Sequence, residues 1–198
     1  MAMKIEPVIL EGKHIRLEPM SSDNVDALSA VGLDSELWRW TNNVCATVDD
    51  MRRYVHIALN DWKLGIALPF VTIDRATDTV IGSTRFGNIE VPHRKAEIGW
   101  TWITPKFQRT AVNTEAKFLM FQHAFEVWEA VRVDLKTDAL NEKSRNAILR
   151  IGAKQEGILR NHMITDAGRH RDSVFFSVIE TEWPDVKQRL LGFLDRAK

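Results

Sequence analysis

Polar and apolar positions alternate over residues 14–18, with Ile15 and Leu17 on one face, and this period of two predicts a strand. The spacing then lengthens. Val25, Leu28 and Val31 recur at helical intervals behind Ser21, Ser22 or Asp23, any of which can cap a helix. A second helix is predicted from Asp49 or Asp50 to about Leu64, with Met51, Tyr54, Val55, Ala58, Leu59 and Trp62 at helical spacing. Residues 70–74 and 79–86 read as strands around the turn-like Arg75-Ala76-Thr77-Asp78, as in a hairpin. Over residues 96–103, strict alternation sets Ile98, Trp100 and Trp102 against Glu97, Gly99 and Thr101.

A strongly apolar helix is predicted from about Thr114 to Ala130. It is apolar on several faces (Phe118, Leu119, Met120, Phe121, Ala124, Phe125, Val127, Trp128), so it should pack on more than one side. A strand over 131–137 and a helix from about Lys143 to Ile151 follow. Strands over 155–164 and 171–179 flank Asp166-Ala167-Gly168, a plausible turn. Trp183-Pro184 opens a last short helix with Val186, Leu190, Leu191 and Leu194 toward the core. The order predicts an α/β (α+β) chain with a mixed sheet and helices on both faces, its central strand-helix-strand fitting a right-handed crossover. No Gly-x-Gly-x-x-Gly occurs, so this is not a dinucleotide fold.

A length of 198 residues suits a single domain over 1–198, large enough to bury a real core. Hydrophobic residues at 44% and charged residues at 27% argue against disorder. Lysine plus arginine and aspartate plus glutamate balance at 27 each, so no basic field marks a nucleic-acid partner, although a local basic patch around a phosphate is compatible with neutrality. The one cysteine, Cys45, cannot form an intramolecular disulfide and reads as a buried, inert thiol. Residues 1–10 have no long apolar run, and no stretch reaches the ~20 apolar residues of a membrane span, so a cytoplasmic protein without a membrane partner is expected.

Two segments invite chemistry. Lys106-Phe107-Gln108-Arg109-Thr110-Ala111-Val112-Asn113-Thr114 follows a strand and opens a helix, where backbone N–H groups and the helix dipole favour an anion; ordinary helix capping explains the same residues. Asn141-Glu142-Lys143-Ser144 follows the strand over 131–137. Asn141 is a good N-cap, and Asn141 and Ser144 could equally line a ligand.

Five segments in order resemble the GNAT superfamily of N-acetyltransferases, and its RimJ/RimL-like branch in particular. They are Glu97-Ile98-Gly99-Trp100, residues 108–117, Asn141-x-x-Ser144, Arg150-Ile151-Gly152-Ala153, and Glu156-Gly157 with Arg160. The order of elements agrees over about residues 10–179. The resemblance implies a mostly antiparallel central sheet of about six to seven strands. It also implies acetyl transfer from acetyl-CoA to a primary amine, a protein N-terminus or a small molecule, by direct attack in a ternary complex. No metal is implied, since no ligand cluster has metal spacing. The family's phosphate loop, Gln/Arg-x-x-Gly-x-Gly/Ala, falls on Gln108, Ala111 and Asn113, so both small-residue positions depart from glycine; Asn113 tolerates a left-handed turn better than most residues. The cofactor site so implied comprises the backbone near Trp102 and Ile103 for the pantetheine, Gln108, Arg109, Thr110, Ala111, Val112, Asn113 and Thr114 for the phosphates, and Asn141 and Ser144 beside the cofactor.

Many family members carry a tyrosine acid on the helix after the Asn motif. Ile148 stands there instead, and the only tyrosine is Tyr54 on an early helix. The resemblance makes Ser144 the substitute acid for the leaving sulfur; a helix-capping or cofactor-lining hydroxyl explains the same residue equally. Glu97 and His162 compete as base. Glu97 lies among apolar neighbours, where burial favours taking a proton through water, unless it is salt-bridged or outward-facing. His162 has the intrinsic range for the task, unless it is an exposed strand histidine. His123 reads as a satisfied core histidine, and His170 and Arg171 are further substrate candidates. Trp38 and Trp40 lie where the family borders its acceptor site, and are expected to shape the pocket. The missing tyrosine and glycine-poor loop motivate a competing reading: a non-catalytic CoA-binding or interaction module that keeps the fold. Sheet edges and the apolar C-terminal helix are compatible with a homodimer.

Overall fold

The computed structural model describes residues 3–196; positions 1, 2, 197 and 198 of the span read as one domain lie outside the described residues. Among the described residues the strands form one eight-stranded sheet in the order β1-β2-β3-β4-β5-β6-β8-β7. These strands are β1 (Leu10–Glu11), β2 (Ile15–Pro19), β3 (Leu68–Asp74), β4 (Thr79–Glu90), β5 (Lys95–Ile103), β6 (Arg132–Asp138), β7 (Lys154–Ile164) and β8 (His170–Ile179). All adjacent pairs are antiparallel except β5–β6. The sheet is thus mixed and mostly antiparallel, one short strand beyond the range expected.

The helices are α1 (Val25–Gly32), α2 (Val48–Lys63), α3 (Ala111–Gln122), α4 (Glu142–Arg150) and α5 (Trp183–Arg196). Two apolar cores separate them. Met20, Leu28, Trp38, Met51, Tyr54, Val71 and Trp102 gather α1 and α2 on one face of the sheet. Leu17, Phe70, Phe86, Ile98, Met120, Phe121 and Trp183 gather α3 and α5 on the other. The many tryptophans are largely accounted for by this packing.

α2 begins with a capping box in which the Thr47 side chain accepts from the Asp50 N–H, one to two residues earlier than the acidic pair suggested. α3 starts at Ala111 rather than near Thr114, because the Thr110 hydroxyl accepts from the Val112 N–H. Its far end does not run on as α-helix to Ala130. Residues 123–127 form a π turn, with His123, Ala124 and Phe125 buried.

Two charges are buried in this apolar helix. The Glu115 carboxylate is 3% exposed. It accepts from the backbone N–H groups of Lys13, His14 and Ile15 at 2.7–2.8 Å, latching α3 to the turn between β1 and β2. A Cβ on Gly12 would come within 2.3 Å of that side chain, so glycine is required there. Lys117 is 7% exposed.

β5 breaks the expected alternation. Ser83 pairs with Trp102 and Arg85 with Gly99, so Trp100 and Thr101 together oppose Thr84 in a β-bulge. Trp100 takes φ +50°, a costly conformation for a bulky residue. The bulge corrects the prediction that Ile98, Trp100 and Trp102 share one face: Ile98 joins the α3 side, and Trp102 and Trp100 the α1–α2 side. The pattern could not show it, because an inserted residue shifts the phase of everything after it.

Candidate active site

The parallel pairing of β5 with β6 covers only Lys95–Arg132, Ala96–Val133 and Glu97–Asp134. Beyond that, β5 pairs with β4 alone and β6 with β8 alone, so the two strands part. The gap opens toward the carboxyl ends of both strands. β5 leads through the turn at 105–107 into α3, and β6 leads through Asn141 into α4. Two helix N-termini therefore flank the same opening, each presenting first-turn N–H groups and the positive end of a dipole. A crevice beyond the carboxyl ends of diverging strands is a common place for a ligand in α/β sheets.

At the α3 side, Gln108 donates from Nε2 to the Ile103 carbonyl at 2.9 Å, fixing the loop to the strand end and occupying that carbonyl. Arg109 is exposed and carries φ +62°. Thr110 spends its hydroxyl on the cap, also donating to the Phe107 carbonyl at 2.7 Å. Ala111, Val112, Asn113 and Thr114 lie in the first turns of α3. The left-handed residue of the loop is therefore Arg109, and neither Ala111 nor Asn113 needs the freedom that glycine would give. Asn113 holds a buried amide oxygen that meets no donor among the described residues, and Thr114 accepts from Arg150 Nη2 of α4 at 2.8 Å. At the α4 side, Asn141 caps the helix, its Oδ1 accepting from the Ser144 N–H at 3.1 Å. Both residues are half-buried, and Ile148 is buried against the core.

Where the strands begin to part, Glu97 is 5% exposed. Its Oε2 accepts from Lys136 Nζ of β6 at 2.9 Å and from Asn88 Nδ2 of β4 at 2.8 Å. A second irregularity in β4, with Asn88 at φ +46°, aims that amide. Lys136 and Arg85 lie over the ring of Trp100, 5.7 and 4.8 Å from its centroid. Tyr54, the only tyrosine, donates to the Trp100 carbonyl at 3.3 Å from α2, on the side away from α3. His162 lies in an irregular stretch of β7, its Nδ1 sharing a hydrogen bond with Ser173 Oγ at 3.0 Å and its ring edge-on to Phe175. Burial first, then Lys136 and Arg171, hold it below its ordinary range, while Glu97 opposes them.

The loop after α1 closes this side. Trp38 is 3% exposed, its Nε1 donating to the Gly32 carbonyl and its ring packed on Tyr54 and Trp102. It supports the wall from behind and does not line an open surface, because the apolar cluster under α1 and α2 absorbs it. Trp40 is half-buried, beneath the guanidiniums of Arg39 and Arg169. Arg171 donates to Asn42 Oδ1 at 2.8 Å and, with Arg169, faces the fully buried Asp138. Trp102 is also buried, with its backbone paired to Ser83. His123 is buried as expected but not satisfied: its Nε2 meets no partner among the described residues, and burial pushes its pKa down. Cys45 is 1% exposed, and burial pushes its thiol up to about 12.

Sequence reasoning missed Lys136, Asn88, Trp100 and Lys117. A bulge and three long-range contacts place them. For Lys117 a signal existed, a lone lysine in a helix apolar all round.

Among the described residues no group of three or more His, Cys, Asp or Glu is arranged to hold a metal ion, and no helix is long and apolar enough to cross a membrane. The family model for the acetyltransferase (GNAT) domain matches residues 14–154. YdaF of Bacillus subtilis (strain 168), provisionally named a ribosomal N-acetyltransferase, is 35% identical over 109 residues, 55% of this chain and 58% of that protein. The aligned part thus spans somewhat over half of that relative. A GCN5-related N-acetyltransferase from Brucella melitensis superposes with a TM-score of 0.86 at 32% identity, covering 96% of this chain and 86% of that one. Mycobacterium smegmatis RimJ, solved in complex with CoA-disulfide, shares the fold, with a TM-score of 0.78 at 21% identity over 94% of this chain and 92% of that one.

Proposed function

The chain belongs to the GNAT acetyltransferase family, and on that premise we propose that it acetylates a primary amine, of a protein N-terminus or a small molecule, by direct attack on acetyl-CoA in a ternary complex. The observation that carries this reading is the gap between β5 and β6 with two helix N-termini at its mouth. Acetyl-CoA supplies the activated thioester; the protein supplies position and proton control.

The first-turn N–H groups of α3, with Arg109, suit a pyrophosphate. The free edge of β5 around Trp102 suits the amides of a pantetheine arm, and Asn141 and Ser144 border the same channel from α4. On the other side Trp40, Trp100 and His162 border the place an amine would enter. His162 fits the base better than Glu97 does. Burial and the nearby cations hold the imidazole's pKa below its ordinary range, which favours the proton-accepting form, whereas the Glu97 carboxylate is engaged by the Lys136 ammonium and the Asn88 amide. The name of the YdaF relative, a ribosomal N-acetyltransferase, favours a protein acceptor over a small molecule.

The test is a thermal-shift titration with acetyl-CoA, then thiol release with a panel of amines and N-terminal peptides. Saturation at ~100 times the dissociation constant should add about 2.7 kcal/mol of stability. Amine-dependent release establishes the acceptor class. Stabilisation without release on any acceptor would favour a CoA-binding module, and no stabilisation would refute the phosphate site at α3. Within an active protein, Trp40→Ala should raise the acceptor KM and leave that for acetyl-CoA unchanged.

A further inference from the structure

The leaving sulfur of an acyl-thioester needs a proton, and the tyrosine position on α4 holds the buried Ile148. A different group reaches the gap from beneath. Lys117 of α3 is 7% exposed, and its Nζ donates to Thr101 Oγ at 2.9 Å. Thr101 is the second residue of the β5 bulge, in the half of the strand that β6 has left, and it is partly exposed. Its hydroxyl also bonds Thr84 Oγ at 2.8 Å. Thr84 is fully buried and Thr101 partly exposed, so this polar cluster, which also reaches the Gly99 carbonyl, meets the surface at Thr101.

We propose that Lys117 and Thr101 form a proton relay that delivers a proton to the thiolate leaving the gap between β5 and β6. The proposal rests on the acetyl-transfer reading above. As the acceptor nitrogen bonds the acyl carbon, the carbon–sulfur bond breaks and its electron pair goes to sulfur. Sulfur takes the Thr101 hydroxyl proton, and Thr101 takes one from the Lys117 ammonium. The amine left on Lys117 regains a proton from solvent between turnovers, and the acetylated nitrogen loses its own to the base. Thr101 would touch the sulfur; Lys117 acts through it.

The surroundings suit Lys117 to this. Burial alone lowers its pKa to about 7, a value at which an ammonium readily gives up its proton at neutral pH. Among the described residues no carboxylate is paired with it. Glu115 on the same helix is turned to the β1–β2 turn, where the backbone of Lys13 and His14 holds it. Glu97 of β5 is engaged by Lys136. Lys187 of α5 pairs with Glu126, and Arg150 of α4 meets α3 at Thr114.

The test is the pH dependence of kcat and of KM for acetyl-CoA, with the best acceptor from the panel, in the wild type, Lys117→Met, Thr101→Val and Thr101→Ser. The wild type should lose kcat as pH rises through the Lys117 titration. Lys117→Met and Thr101→Val should lose roughly 100-fold in kcat and lack that alkaline limb, with KM within about threefold, while Thr101→Ser restores both rate and limb. Acetyl-CoA-induced thermal shifts on each variant confirm folding. Wild-type kcat and limb in Lys117→Met and Thr101→Val would overturn the relay alone, as would a rise in KM with the limb intact. A wild type without turnover would overturn the acetyl-transfer reading and the relay with it.

Discussion

Residues 95–97 of β5 are paired with a strand on each side, whereas residues 99–103 have a strand on one side only and are propped by side chains. Tyr54 holds the Trp100 carbonyl from α2, Lys117 the Thr101 hydroxyl from α3, and Gln108 the Ile103 carbonyl from the following loop. In the first half the sheet satisfies its own backbone and the polar side chains pair with one another, as Glu97 does with Lys136. In the second half the sheet leaves one edge of the backbone open and brings beneath it an ammonium held by the Thr101 hydroxyl, with no carboxylate partner among the described residues. A sheet that stops pairing partway makes a ligand channel at the cost of local stability, so the two halves should respond oppositely when their buried charges are removed.

The largest effect expected is on the parted half. Lys117 titrates at about 7 in the folded chain against ~10.4 unfolded. Between those values the unfolded state holds a proton that the folded state lacks, so stability rises with pH across the window; below about 7 both states are protonated and the burial penalty is present in full. Lys117→Met removes the penalty. It should stabilise the protein by several kcal/mol at pH 6, with the advantage fading to nothing near pH 10.5. Denaturant melts of both proteins at pH 6, 8 and 10 measure this, and a gain independent of pH would mean that packing, not charge, is responsible.

On the paired half the sign reverses. Glu97→Ala leaves the Lys136 ammonium and the Asn88 amide without their acceptor, and should cost about 3 kcal/mol. Adding Lys136→Met should recover most of the loss, because the stranded charge is then gone. Urea midpoints of the single and double variants form the cycle; equal losses in both would show that Glu97 matters for its packing instead.

The contrast between the halves explains what the chain reveals before folding. Periodicity showed almost every element, since each strand or helix buries one face in a regular core. The family motifs marked Gln108, Asn141 and Ser144, whose helix N-termini do flank the gap. The bulge at Trp100 was hidden, because alternation reads correctly up to the extra residue and then inverts. Asn88 and Lys136 meet Glu97 from two other strands, and no local spacing encodes such a meeting. Glu115 and Lys117 were visible as charges in an apolar helix. Their opposite fates, one latched by three backbone donors and one left to a single hydroxyl, depend on what the helix packs against.

The smallest effect sharpens the comparison at the end of the parted half, where the loop to α3 begins. Arg109 is exposed and left-handed at φ +62°, a conformation that costs a non-glycine residue about 1 kcal/mol. Arg109→Gly removes that strain but also loosens the unfolded chain, so the net gain should be only about 0.5 kcal/mol. The same change deletes a cation beside the first turn of α3 and should weaken acetyl-CoA binding severalfold, more at low salt than at high. Stability and affinity should thus move in opposite directions in one variant, read by thermal melts and by titration at two ionic strengths. Arg109→Lys separates the two causes: it keeps the charge and the strain, and should match the wild type in both. If Arg109→Gly bound acetyl-CoA as tightly as the wild type at low salt, the pyrophosphate would rest on the backbone of α3 alone, and the side chains of this loop would serve only to shape it.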